Sequence, residues 1–179
     1  MALKAKLDAL LSGAVAKGDV PGVVAAVTTT EGTLYQAGFG ERELGGGVAM
    51  TPDTVGWIAS MTKAVTSVAA LQLVEEDRLD LERPAGEVVA HLEAVEVLTG
   101  FDGQGRPETR PPKRPVTLRH LLTHTSGLGY DFWNPEIIRY QEAIGLPPVA
   151  SRQNDALLLP LLFDPGQRWN YGIGIDWAG

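Results

Sequence analysis

Hydrophobic side chains recur at helical spacing near the start of the chain, where they predict an amphipathic helix over residues 3–17. Residues 23–30 and 33–39 are rich in β-branched and aromatic side chains, and only Glu31 and Gly32 separate the two segments. A two-residue connection between such segments is typical of a β-hairpin. The first forty residues therefore predict a helix followed by two antiparallel strands.

A second helical pattern spans residues 60–76, and its apolar positions cover most of the circumference of the helix. Such a helix is typical of the centre of a fold, so we expect it to be buried. Thr117 can cap a short helix over residues 118–124, and residues 154–159 predict a further helical piece. Residues 100–115 are rich in glycine and proline and carry both charge signs, so they predict an exposed loop.

Both predicted strands lie within the first 40 residues, and a stable sheet generally needs three or more strands. The missing strands come either from a segment whose pattern is not recognised or from sequence beyond Gly179. The length of 179 residues fits one domain, and the hydrophobic fraction of 44% with 21% charged residues is that of a globular protein.

Composition narrows the classes of partner and chemistry. Asp and Glu number 22 against 15 Lys and Arg, and the net charge of -7 argues against nucleic acid as a partner. The absence of cysteine excludes a thiol nucleophile and a disulfide scaffold. Apolar runs are too short to span a membrane, and Lys4, Lys6 and Asp8 interrupt any signal-peptide pattern. We therefore expect a cytoplasmic protein with no membrane contact.

Ser60 and Lys63 form the first candidate for catalytic chemistry. They are three positions apart at the start of the second predicted helix, so their side chains share one face. An amine among apolar neighbours can accept a hydroxyl proton, and the start of a helix favours negative charge on the serine. The alternative is that Ser60 caps the helix and Lys63 is a surface residue. A lysine on an otherwise apolar helix argues against that alternative.

Tyr171, in the segment from Pro165 to Gly172, is the second candidate. A tyrosine hydroxyl beside an ammonium group can relay protons, although a tyrosine considered alone is more often a core residue. His120 and His124 lie four apart on one helical face, but no third ligand accompanies them, so we expect no metal. No serine has the Gly-x-Ser-x-Gly context, and no glycine-rich phosphate loop follows a strand. We therefore expect no cofactor.

The candidate residues fall within three blocks of sequence, which are residues 53–63, 118–128 and 165–171. Taken together, these blocks resemble the serine hydrolases of the β-lactamase and penicillin-binding superfamily. The chain is most similar to its class C-like branch and, within that branch, to the family VIII carboxylesterases. One departure is that Ile173 stands where class C β-lactamases have the asparagine of Tyr-x-Asn, which favours simple esters over β-lactams.

The resemblance implies an α+β protein with the β-lactamase/transpeptidase-like fold, an antiparallel sheet flanked by helices plus a helical subdomain. Residues 1–59 would supply a helix and hairpin, and residues 60–179 a mostly helical region that carries Ser60, Lys63 and Tyr171. The family's third motif does not follow Tyr171. We therefore expect this chain to be an N-terminal portion of the fold. The remaining C-terminal half is then an expected partner, which a second chain could supply.

The resemblance also implies a function. Ser60 attacks a small-molecule carboxylic ester, with a short acyl chain expected, Lys63 accepts the serine proton, and Tyr171 assists and then protonates the leaving alcohol. Two alternatives stay open. One is a β-lactamase or D-alanyl-D-alanine peptidase, and the other is a non-catalytic binding protein on the same fold.

Overall fold

A computed structural model describes residues 3–179, which divide into two compact units with the boundary between Trp57 and Ile58. The first unit begins with a helix and continues as an antiparallel hairpin, as the sequence predicts. The turn consists of residues 30 and 31, one residue earlier than predicted, and the register shifts between Val27 and Thr28. The elements are α1 (Leu3–Lys17), β1 (Gly22–Thr29) and β2 (Gly32–Gly40).

One hydrogen bond shows how helix α1 packs on strand β2. Tyr35 of β2 is buried, and its hydroxyl donates a 2.9 Å hydrogen bond to Oδ1 of Asp8 on the helix. Gly40 ends β2 with φ of 77°, and a Cβ there would lie 2.3 Å from the carbonyl oxygen of Pro21. Glycine is therefore required where the end of the hairpin meets the end of the α1–β1 connection.

The second unit contains most of the helices and a second hairpin. Short 3₁₀ turns lie between these elements, including Ala59–Met61 directly before the first of them. Residues 154–157 form such a turn where the sequence predicts a helical piece. The elements are α2 (Thr62–Glu75), α3 (Ala90–Ala94), β3 (Val97–Phe101), β4 (Pro107–Arg110), α4 (Leu118–Leu122), α5 (Pro135–Ile144) and α6 (Gly174–Ala178).

The prediction of a single exposed loop over residues 100–115 is wrong. Strands β3 and β4 pair antiparallel there, and Asp102 shapes the turn between them by accepting hydrogen bonds from the N–H groups of Gln104 and Arg106. The strands are short and contain Gly100 and Pro107, so the period-2 pattern that would reveal them is lost. The hairpin supplies two strands that the sequence pattern does not reveal.

Helix α2 is less buried than its apolar pattern predicts. Ala70 is its buried residue, whereas Val65 is 63% exposed and Val68 is 57% exposed. Within residues 3–179, these two side chains thus lie mostly open to solvent. The expectation that α2 is a buried central helix is therefore not met by the described residues.

The core of the second unit joins α3, α4 and α5 to β3 and to the segment that follows residue 158. Leu161 donates its N–H to the carbonyl of Glu96 and accepts from the N–H of Leu98, so its backbone extends the β3 edge. The buried cluster comprises Leu92, Val95, Val97, Val116, Leu121, Leu128, Tyr130, Ile137, Leu159, Leu161 and Ile173.

No helix within the described residues is long and apolar enough to cross a membrane.

Candidate active site

Ser60 lies in the 3₁₀ turn that leads directly into α2. The residue before it, Ala59, has φ of 46°, a left-handed conformation that is uncommon for a residue with a Cβ. The N–H of Met61 donates to the carbonyl of Ile58 and closes the turn. The Ser60 side chain is exposed, so a substrate can reach its hydroxyl at the start of the helix.

Lys63, in the first turn of α2, lies between two tyrosine rings. Its Nζ is 5.3 Å from the ring centroid of Tyr130 and 5.3 Å from that of Tyr171. Both distances are within the range of cation–π attraction. The half-buried ammonium group is therefore held beside Tyr171 without an ion pair to a carboxylate among the described residues.

The hydroxyl of Tyr171 donates a 2.9 Å hydrogen bond to Oγ of Ser60. This contact spans 111 positions of sequence. The three residues predicted as catalytic therefore meet in one place, with Ser60 bonded to Tyr171, and Lys63 one helical turn beyond Ser60 and beside the Tyr171 ring. A nucleophile within hydrogen-bond reach of a proton-transfer group is the geometry that nucleophilic catalysis requires.

The two tyrosines beside Lys63 differ in their hydrogen bonds. Tyr130 donates its hydroxyl proton to Oδ2 of Asp176 at 2.7 Å. Burial, and next this hydrogen bond, raise the pKa of Tyr130 far above the ordinary value, so its hydroxyl stays protonated. Tyr171, by contrast, is bonded to Ser60. The geometry thus assigns Tyr130 to holding the site and leaves Tyr171 available for proton transfer.

The segment that carries Tyr171 begins at an ion pair between a buried carboxylate and a partly exposed arginine. Asp164 is 6% exposed and accepts hydrogen bonds of 2.8 and 2.9 Å from the guanidinium of Arg110, the last residue of β4. The N–H of Lys113 donates a further 2.9 Å bond. These contacts, with the Arg110 bond largest, hold the pKa of the Asp164 carboxyl well below its usual range. The second hairpin therefore anchors the loop that leads to the tyrosine.

Replacing Asp164 with asparagine is expected to lower the melting temperature at pH 7 by several degrees, because Arg110 loses its charged partner. A carboxyl whose pKa falls on folding stabilises the protein above its unfolded pKa of about 4 and loses that effect as the pH falls. The difference between wild type and variant should therefore shrink below about pH 4. Thermal unfolding followed by circular dichroism at several pH values measures it.

The exposed residue Asp155 supplies the matched control, since Asp155→Asn makes the same chemical change on the surface. That variant should melt with the wild type at every pH. A melting-temperature difference for Asp164→Asn that stays constant down to pH 2 would contradict the assignment of this ion pair.

Gly172, the residue directly after Tyr171, lies against the backbone of residues 128 and 129. A Cβ at position 172 would lie 2.2 Å from the carbonyl oxygen of Leu128 and 2.6 Å from the Cα of Gly129. No larger residue fits there without a backbone shift. The position of Tyr171 therefore depends on close backbone packing as well as on its own side chain.

The two histidines considered for a metal have separate partners. Nδ1 of His120 accepts the N–H of Thr117 as part of a capping box, which confirms Thr117 as the N-cap of α4. Nδ1 of His124 accepts the N–H of Gly172 at 3.3 Å. Within residues 3–179, no group of three or more His, Asp or Glu side chains could hold a metal ion.

Two residues of this site, Tyr130 and Asp176, are absent from the sequence-based set. Neither lies in a spacing that has chemical meaning by itself, because they are 46 positions apart and meet only in the fold. The sequence offers His124 only as a metal ligand, whereas in the structure its ring packs against that of Tyr171 with centroids 4.7 Å apart. Its position four residues after His120 carries no signal for that contact.

Comparison with known proteins defines the class. Residues 7–174 match the beta-lactamase family, and the chain belongs to that family. The resemblance and the fold class predicted from the sequence are thereby confirmed. Lovastatin esterase from Penicillium rubens is 37% identical over 178 residues, which cover 97% of this chain and 45% of that protein. Acyltransferase mokF from Monascus pilosus is 37% identical over 182 residues, covering 97% and 44%.

Solved structures agree with the family match. Unliganded simvastatin synthase (LovD) from Aspergillus terreus superimposes with a TM-score of 0.82 at 34% identity, covering 100% of this chain and 47% of that one. EstCE1, a hydrolase with promiscuous acyltransferase activity, has a TM-score of 0.78 at 22% identity, which supports the fold alone. The chain spans less than half the length of these relatives.

Proposed function

We propose that this protein is a serine esterase that cleaves carboxylic esters through an acyl-enzyme on Ser60. The observation that carries the proposal is the 2.9 Å hydrogen bond from Tyr171 to Ser60, formed beside the ammonium of Lys63. Serine is a weak nucleophile unless a neighbouring group takes its proton. Here two proton-transfer groups surround an exposed hydroxyl.

In the first step Ser60 Oγ forms a bond to the ester carbonyl carbon. Its proton passes to the amino group of Lys63, which acts as a base once its own ammonium proton has been lost, directly or through the Tyr171 oxygen. The tetrahedral intermediate then collapses, the ester C–O bond breaks, and the Tyr171 hydroxyl protonates the departing alkoxide while recovering a proton from Lys63. The dipole of α2 favours the negative charge that develops at its N-terminal end, where Ser60 lies.

In the second step a water molecule attacks the acyl group, gives up its proton by the same route, and releases the carboxylic acid and free Ser60. An alcohol that replaced water would form a new ester instead. Acyl transfer to an alcohol is therefore the second candidate, and it is favoured by relatives such as acyltransferase mokF. Both candidates share the acyl-enzyme and differ only in the acceptor.

β-Lactam hydrolysis is less well supported by position 173. Ile173 is fully buried and belongs to the core cluster, so its side chain presents no hydrogen-bonding group to a substrate. A simple ester has no amide group that such a side chain would need to bind, so Ile173 is compatible with ester substrates. A non-catalytic protein would have no use for an exposed serine held between Tyr171 and the start of a helix.

The apolar part of the ester has a surface available beside the tyrosines. Phe132 is 63% exposed and stacks on Tyr130 with centroids 4.9 Å apart, while Trp169 is 65% exposed and stacks on Tyr171 at 6.4 Å. Exposed aromatic rings of this kind bind apolar groups. We therefore propose small apolar esters, with short acyl chains, as substrates.

The proposal can be tested by assaying a panel of substrates with the complete protein, purified from the cells that naturally produce it. We expect kcat/KM for p-nitrophenyl butyrate to exceed that for the β-lactam nitrocefin at least about 100-fold. Butanol added to the assay should yield less butyl butyrate than butyric acid. A larger yield of butyl butyrate would favour the acyltransferase candidate, and equal turnover of nitrocefin would favour the β-lactamase.

A further inference from the structure

His124 is a residue for which the proposed chemistry has no assigned role, although it lies against Tyr171. It follows α4 and has φ of 56°, in the left-handed region that residues with a Cβ seldom adopt. Such a conformation costs free energy and persists where surrounding contacts enforce it. Those contacts are to the segment that carries Tyr171.

Both neighbours of Tyr171 are bonded to this one histidine. The carbonyl oxygen of His124 accepts the N–H of Asn170 at 2.9 Å, and its ring Nδ1 accepts the N–H of Gly172 at 3.3 Å. The imidazole also packs against the ring of Tyr171, with centroids 4.7 Å apart. One residue therefore fixes the backbone on each side of the tyrosine and one face of its ring.

The contact with Gly172 requires that Nδ1 of His124 carry no proton, so that the neutral ring bears its hydrogen on Nε2. The charged groups that act on the ring are Lys63 on α2 and Asp176 on α6. Burial, and next the charge of Lys63, lower the pKa of His124, while Asp176 opposes them. The neutral ring is thus favoured at neutral pH.

We propose that His124 is the positioning residue that places the Tyr171 hydroxyl on Ser60. It acts through the two hydrogen bonds and the ring contact, and it does not touch the reacting atoms. This inference rests on the proposed function, in which Tyr171 transfers protons to and from Ser60. A displacement of about 1 Å in such a group can cost about 100-fold in rate.

The test compares His124→Asn with His124→Gly. Both residues tolerate a positive φ, but only asparagine presents an acceptor oxygen close to the position of Nδ1. With p-nitrophenyl butyrate we expect the glycine variant to lose about 10- to 100-fold in kcat with little change in KM, and the asparagine variant to stay within about threefold of wild type.

The matched control is His120→Ala, which removes a histidine of α4 whose Nδ1 also accepts a backbone N–H. It should lower the melting temperature and leave kcat unchanged. If the glycine variant does not fold, His124→Gln decides, because its oxygen lies beyond the Nδ1 position: at least a tenfold lower kcat than in His124→Asn supports the proposal, and equal kcat overturns it.

Two further outcomes separate this inference from the function on which it rests. Wild-type kcat in a folded His124→Gly variant, or equal losses in the glycine and asparagine variants, overturns the positioning role while Ser60→Ala still abolishes turnover. Unchanged turnover in Ser60→Ala instead overturns the proposed function itself.

Discussion

Replacing Ser60 with alanine is expected to lower kcat/KM for p-nitrophenyl butyrate by about 1,000-fold or more. The substitution removes the hydroxyl that is bonded to Tyr171, and with it the nucleophile of the proposed reaction. The protein should fold as before, since the Ser60 side chain is exposed. The activity that remains would come from substrate binding and charge stabilisation, which still assist attack by water when the nucleophile is absent. Initial rates measured with a melting curve for each protein give the comparison.

Ser67 provides the matched control, since it lies on α2, about two turns beyond Ser60. Ser67→Ala makes the same chemical change and should leave kcat/KM within about twofold, as a substitution away from the reacting atoms. Equal losses in the two variants would show that both serines act through stability and that Ser60 has no special chemistry.

The second large effect is expected from Gly172→Ala. The added Cβ would lie 2.2 Å from the carbonyl oxygen of Leu128, so the Tyr171 segment must move away from it. We expect a loss of about 1–3 kcal/mol in the free energy of unfolding and about 100-fold in kcat, because the tyrosine hydroxyl leaves Ser60. Denaturant unfolding and ester turnover measure the two effects.

Gly103→Ala is the control for that substitution, because a Cβ at Gly103 meets no atom within 4 Å. Stability and turnover should both stay close to wild type. If Gly172→Ala kept wild-type turnover, the close packing at residue 172 would have no part in placing Tyr171.

Elements that depend on close sequence neighbours are predictable from the chain alone. The apolar spacing of residues 3–17 gives α1, and the hydroxyl of Thr117 gives the start of α4, because both depend on residues within one or two turns. Ser60 and Lys63 share this advantage, since a spacing of three places them together on any helix. These features need no knowledge of the tertiary fold.

Other elements depend on contacts between distant segments, which the pattern does not contain. Helix α5 begins at Pro135 and ends before Gly145, whose φ is 74°, so its terminal signals are present. Its apolar residues Ile137, Ile138 and Ile144 also recur at helical spacing, so α5 is an exception: the local sequence indicates it, although the prediction above omits it. Strands β3 and β4 are held by pairing and by the Arg110–Asp164 ion pair, which joins residues 54 positions apart.

The candidate site divides in the same way. Motif spacing identifies Ser60 and Lys63, and the block around Tyr171 identifies the third residue. The 2.9 Å contact between Tyr171 and Ser60 is a property of the fold alone. The roles of Tyr130 and His124 follow from neighbours brought together by packing, and their residue types alone indicate core positions.

The most direct measurement is reaction of the complete protein with a fluorophosphonate, followed by peptide mass spectrometry. The reagent bonds covalently to an activated serine, so we predict one adduct per chain, on Ser60, whose formation p-nitrophenyl butyrate slows. The Ser60→Ala variant should acquire no adduct. A wild-type protein that stays unlabelled, or that is labelled on another serine such as Ser67 or Ser126, would contradict the assignment of Ser60 as the nucleophile.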